Sequence, residues 1–196
     1  MLRTAVYVDW DTARRLDPRR EATLAGVDRA ISRLQTAISR SLHRRDRRTN
    51  FRIHWRIYHG WHQGRTKTRD RLLFEKYSQE ARARTIDNVS FSTNFTLSGD
   101  MACSSRRSPI LDTLRQDRTS GVFTQKMVDT LLAADLLHGV RTKDAGLFIV
   151  VANDDDAIPA VFAAEAWQAQ GLLLHYRNNT NPHLQLSGIA ERIDLT

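Results

Sequence analysis

Asp154-Asp155-Asp156 close the most apolar stretch of the chain, Leu147-Phe148-Ile149-Val150-Val151-Ala152, with only Asn153 between. A second run of the same kind, Ala5-Val6-Tyr7-Val8, leads straight into Asp9-Trp10-Asp11. Carboxylates gathered at one place repel one another unless protons or a cation neutralise them, and their hard oxygens suit Mg²⁺ or Mn²⁺. A third candidate acid, Asp129, lies in Lys126-Met127-Val128-Asp129, where a three-residue step puts Lys126 and Asp129 on one helix face. Asp135 is six residues further on, about 240° around the axis, and points elsewhere. It is expected to be structural and to pair with an arginine. The site acids are therefore expected to be Asp9, Asp129, Asp154 and Asp156, with Asp155 capping the helix that follows.

The elements that must position these acids alternate between strand and helix. Short apolar runs at 4–9, 147–152 and 172–176 read as buried strands. Residues 51–58 alternate, with Phe51, Ile53, Trp55 and Ile57 on one side and Arg52, His54, Arg56 and Tyr58 on the other. They predict a half-buried strand with a basic face. Val89, Phe91, Phe95 and Leu97 mark another strand. Leu24, Val27, Ile31, Leu34, Ile38 and Leu42 predict an amphipathic helix over 20–43 with Arg20, Arg29, Arg33 and Arg40 outward. Further helices are predicted at 68–84, 125–138 and 158–170, the last closed by Gly171 as its C-cap. Residues 98–121 lack periodicity and read as a long loop, and the tail, 178–196, as polar turns ending in a short element. This pattern predicts one α/β domain over residues 1–196 with a mainly parallel sheet. Strands 4–9 and 147–152 would meet where the chain reverses direction across the sheet, which is where ligands bind in open α/β sheets.

The charge is uneven. Residues 1–85 hold 21 Lys/Arg against 9 Asp/Glu, and residues 86–196 hold 9 against 13. Arginine dominates the basic half, and guanidinium groups bind phosphate bidentately, so a nucleic-acid partner is expected. The candidate contacts are Arg14, Arg15, Arg52, Arg56, Arg65, Lys67 and Arg69, the last three at the start of a helix. His59 and Trp61, in Tyr58-His59-Gly60-Trp61-His62, are candidates for stacking on unpaired bases, weighed against packing of Trp61 over a loop and against a His59–His62 zinc pair. Trp10 is expected to pack beneath the first turn.

The chain resembles the NYN branch of PIN-like nucleases. The resemblance is carried by strand–Asp9-Trp10-Asp11, the Lys126-x-x-Asp129 helix, strand–Asp154-Asp155-Asp156-Ala157-Ile158-Pro159, then Gly171 and a final strand. It implies a three-layer Rossmann-like PIN-type domain with a five-stranded, mainly parallel sheet, order 3-2-1-4-5, flanked by helices. It also implies Mg²⁺ or Mn²⁺ held by Asp9, Asp129, Asp154 and Asp156, supported by Thr12, Lys126 and Asp11, and endonucleolytic hydrolysis of RNA. Two positions depart from the family pattern: Thr12 stands where Asn is usual, and Ala152-Asn153 and Ala157 replace the Ser-Gly and Phe around the Asp-x-Asp.

Asp9, Asp11, Lys126 and Asp154 can also be fitted to a haloacid-dehalogenase-type phosphatase, although Ala13 stands where that family has Thr or Val. A catalytically decayed RNA-binding module is the non-enzyme alternative. A 41% hydrophobic and 27% charged composition excludes a disordered chain, and no apolar run is long enough to span a membrane. Cys103, the only cysteine, forms no intrachain disulfide and is expected to be inert. With no signal peptide before the first strand, the protein is expected to be cytoplasmic. RNA, a homodimer and a regulatory protein are the expected associations.

Overall fold

Two buried, Val- and Ile-rich strands form the centre of the sheet, and everything that bears on the site follows from their adjacency. The computed structural model describes residues 1–63, 66–98, 114–116, 119, 121, 123–125, 127–153, 155–176 and 190–193. In chain order the elements are β1 (Leu2–Asp9), α1 (Trp10–Ala13) with a 3₁₀ turn at Arg14–Leu16, α2 (Leu24–Arg45), β2 (Phe51–Tyr58), β3 (His62–Gln63), β4 (Thr66–Lys67), α3 (Arg69–Glu80), β5 (Arg84–Ile86) and β6 (Val89–Leu97). There follow β7 (Leu114–Gln116), β8 (Phe123–Gln125), α4 (Val128–Thr142), β9 (Leu147–Val151), a 3₁₀ turn at Asp155–Ala157, α5 (Ile158–Ala166), β10 (Gly171–Tyr176) and β11 (Ala190–Ile193).

The main sheet runs β11-β10-β9-β1-β2-β6-β5. Neighbouring strands are parallel except for β5 and β6. The chain is thus α/β with a mixed, mostly parallel sheet, but the order differs from the expected five strands. Two short strands extend the edges, and one of them runs antiparallel. β3–β4 and β7–β8 form separate two-stranded ribbons, the latter beginning inside the stretch expected to be a loop. Among the described residues no helix is long and apolar enough to cross a membrane.

Apolar side chains alternate between the two faces of the sheet. Val6, Val8, Ile53, Trp55 and Ile57 pack with Ile31, Leu34 and Ile38 of α2 and with Phe74 of α3. Tyr7, Tyr58, Phe148 and Val150 pack with Leu132 and Leu136 of α4 and Val161 of α5. Trp55 is sandwiched between Phe91 and Phe95, each 5.8 Å away and nearly parallel. β2 is half-buried as its alternation predicts, with Arg52 exposed and His54 and Arg56 partly so, and departs from it only at Tyr58. Tyr58 is fully buried, and Arg56 is half-buried, paired with Asp144 and seated 5.2 Å from the Tyr7 ring. Asp135 is buried and accepts the Tyr58 hydroxyl at 3.1 Å. Its hydrogen-bond partner is a tyrosine, and an arginine, Arg56, interacts with it through charge.

Several helix ends also differ. Thr23 caps α2 by accepting from the Gly26 amide, so the helix starts at Leu24, and Arg20 lies in the preceding turn with φ 49°. Gly171 opens β10 and caps nothing; α5 ends at Ala166 with Trp167 as its C-cap, and the turn is made by Gln168 at φ 60°. The N-cap of α5 is Ala157, two residues beyond Asp155.

α4 lies close on β1 because Gly139 faces the strand. A Cβ at Gly139 would overlap the Tyr7 hydroxyl and lie 3.1 Å from an Asp144 carboxylate oxygen. Gly139→Ala is therefore expected to destabilise the protein by about 1–3 kcal/mol through overpacking, despite alanine's better helix propensity. Urea unfolding checks this; an unchanged midpoint would show that α4 shifts freely.

Candidate active site

β1 and β9 pair in parallel from Thr4↔Leu147 to Val8↔Val151. From β1 the sheet continues through β2 and β6 on one side and through β9 and β10 on the other. The crevice at their C-terminal ends is the switch point where α/β sheets bind ligands.

Asp9 ends β1 inside this crevice and caps α1. One carboxylate oxygen accepts from the Asp11 amide at 3.0 Å, and the other from the Thr12 amide at 3.1 Å and the Thr12 hydroxyl at 2.5 Å. The same hydroxyl accepts from the Asn153 amide at 3.0 Å. Thr12, itself buried, thus ties the end of β1 to the residue that leads out of β9. Its shorter reach than asparagine suffices because the strands are neighbours. Burial lifts the Asp9 carboxyl above its ordinary value, against the pull of Thr12 and the backbone amides. Among the described residues no cationic side chain pairs with Asp9.

Asp11 faces away, into a four-residue charge cluster. His59 follows β2 and bonds Asp11 through Nδ1 and Asp70 through Nε2, both at 3.1 Å. Arg14 bridges the same two acids, at 2.5 Å to Asp11 and 3.3 Å to Asp70. Burial opposes the charge on His59, but the two carboxylates outweigh it and raise its pKa to about 9. Burial also acts to raise the Asp11 carboxyl, yet His59, Arg14 and Arg15 hold it below its ordinary value. The sequence reading missed Asp70. Its signal was present: an acid in the first turn of the helix that follows the His59 loop, where the helix dipole favours negative charge.

The other expected residues are placed as follows. Asp129, in the first turn of α4, and Asp156, in the turn after β9, are exposed, and α4 packs against that turn. Among the described residues no three His, Cys, Asp or Glu gather into a group that could hold a metal ion. Asp9 is fixed at the end of β1, and among the described residues it is not joined by a donor set that would hold Mg²⁺ or Mn²⁺. Asp154, Lys126, Arg65, Cys103 and the segment around Ser104–Pro109 lie outside the described residues.

The expected RNA contacts divide. Trp61 is buried, with its indole N–H donating to the Ile57 carbonyl at 3.3 Å and its ring 5.7 Å from Phe74, so it offers no face to a base. The ion-paired His59 stands against it edge-on. Trp10 packs inward against Phe74, as expected. Lys67 bonds Glu75, Arg69 bonds the Ala22 carbonyl, and Thr68 caps α3. Arg56 is held by Asp144. Arg52 is exposed, but it stands six residues before Tyr58, roughly 20 Å down the strand from the crevice. Arg14 and Arg15 remain exposed beside the crevice.

No protein-family model, curated protein or solved structure matches this chain.

Proposed function

We propose that the β1–β9 crevice is the catalytic centre of a divalent-metal-dependent endoribonuclease acting on RNA phosphodiester bonds. The observation that supports it most is the Asp9–Thr12–Asn153 link. A carboxylate with no cationic partner among the described residues is fixed at a switch point, next to the chain segment that carries Asp154 and Asp156. Asp9, Asp129, Asp154 and Asp156 are the acids of this reading, and its fold is the three-layer PIN-type arrangement. Mg²⁺ or Mn²⁺ there would supply a water of lowered pKa and offset charge on the scissile phosphate. Thr12 orients the Asp9 carboxylate, and Arg14 and Arg15 attract the RNA backbone. A cytoplasmic setting suits such an activity.

The phosphatase alternative is less well served, because both oxygens of Asp11 are engaged by His59 and Arg14. The deciding assay compares labelled RNA with a generic phosphomonoester, with and without Mn²⁺, for the native protein and Asp154→Asn. Cleavage of RNA that requires the metal and falls in the variant is the expected result. Turnover of the monoester alone would instead assign a phosphatase. RNA binding without cleavage at any metal concentration would assign a decayed binding module.

A further inference from the structure

Beside the crevice, on the α2–α3 side of β1, lies a cleft of about 430 Å³. Its rim carries Arg14, Arg15 and Arg20, and its wall includes Trp10, Val27 and Leu73. The volume is within the range of about 300–1,000 Å³ typical of small-molecule sites.

Three acids also line the cleft, and each is already matched. Asp17 and Glu21 are held by Arg29, at 2.9 Å and 2.6 Å, and Asp70 by His59. Asp17 also accepts from the Arg19 and Glu21 amides, which fixes the turn that carries Arg20. Arg15 and Arg20 are exposed and, among the described residues, their guanidinium groups make neither a hydrogen bond nor an ion pair. The cleft therefore has two guanidinium groups free of direct contacts, Arg15 acting on Asp11 only at longer range, over a partly apolar wall. Two such groups match the double charge of a phosphate monoester better than the single charge of a diester. The apolar wall gives a nucleoside something to lie against.

We infer that this cleft binds the phosphomonoester of a nucleotide, with Arg15 and Arg20 on the phosphate and the nucleoside against Ala22 and Leu73, the accessible apolar side chains of its wall. This site goes beyond the proposed cleavage and needs no metal, so the two readings fail separately.

The test is calorimetric titration, in EDTA, of adenosine and uridine 5′-monophosphates, the free nucleosides and inorganic phosphate. The nucleotides are expected to bind at least about tenfold more tightly than nucleoside or phosphate alone, and Arg15→Ala/Arg20→Ala to lose about tenfold or more. Arg47→Ala/Arg48→Ala, which removes equal charge from the exposed loop before β2 at the opposite edge, is expected to bind as the native protein does. Binding that survives in Asp9→Asn separates the cleft from the cleavage reading. With nucleotide binding established, a preference for a 5′-phosphorylated over an unphosphorylated oligonucleotide assigns the ligand to a strand end, and no preference assigns it to a free nucleotide. Nucleotides that bind no better than nucleosides or phosphate overturn the site, as does an equal loss in both double variants.

Discussion

Asp9→Asn is expected to lower metal-dependent RNA cleavage by about 10²-fold or more, the order for removing one charge-stabilising group from a catalytic centre. The change is informative because it separates chemistry from folding. Asn is as good an N-cap as Asp, and its carbonyl oxygen can keep both bonds from Thr12 while its amide turns toward the Asp11 N–H. That donor–donor contact costs about 1 kcal/mol, so the variant should stay folded. Thr12→Val tests the link itself. It keeps the shape but removes the hydroxyl that bonds Asp9 and leaves the Asn153 amide without its acceptor. Cleavage should fall with it and return in Thr12→Ser, which restores the oxygen. The checks are initial rates on labelled RNA beside thermal melting. Full cleavage by a folded Asp9→Asn protein would end the nuclease reading of this crevice.

The adjacency of β1 and β9 was legible in the sequence because each strand reads locally. Leu147–Val151 is buried throughout, and the core of β1 is buried as well, so an apolar run alone announced them. The last positions of the β2 face, Arg56 and Tyr58, were not legible. Arg56 and Tyr58 look like solvent positions in the strand's own alternation, and only partners about eighty residues away, Asp144 and Asp135, make their burial tolerable. The same long-range pairing hid the role of Asp135, which a helical wheel could only turn away from Asp129. His59 and Trp61 failed as base-stacking candidates for a related reason. Composition marks aromatic and imidazole rings in a loop as available, whereas Phe74 and Asp70 of α3 close over them. β5 escaped notice because three residues are too few to show a period, and Gly171 misled because glycine also opens strands. For Asp9, the sequence specified its place at the end of β1 more firmly than its side-chain contacts with Thr12 and the backbone amides.

The His59 cluster gives the protein a stability that depends on pH with a definite sign. The imidazole is raised from 6.5 to about 9 in the folded state, so its contribution is complete below pH 6.5 and is lost as pH rises through 9. At one unit of pKa per 1.36 kcal/mol, the loss across that window is about 3 kcal/mol. The side chain is only 13% exposed, so solvent screens little of it. The neighbouring groups act elsewhere. Hydrogen bonding to His59 holds Asp70 below its ordinary 3.8, and Asp11, although pushed up by burial, is also held below it, so both contribute above that value and fail only in acid. His54, held below 6.5 by burial and by Arg3, Arg52 and Arg56, also weakens the fold only on the acid side. Tyr58 is raised above 10 by burial and by Asp135, and its loss begins beyond the window. Urea unfolding at steps between pH 6 and 9.5 should therefore show stability falling from about pH 6.5 and levelling off near 9. His59→Gln should be less stable at pH 6 and nearly flat above it, because without the imidazolium Asp11 and Asp70 share only Arg14. A native protein equally stable at pH 6.5 and 9, or a variant with the native slope, would mean that the cation bridging the two carboxylates is not His59. When His59 loses its proton, Arg14 is left as the one cation bridging Asp11 and Asp70 among the described residues. Any pH dependence of RNA affinity near 9 would then report on this bridge.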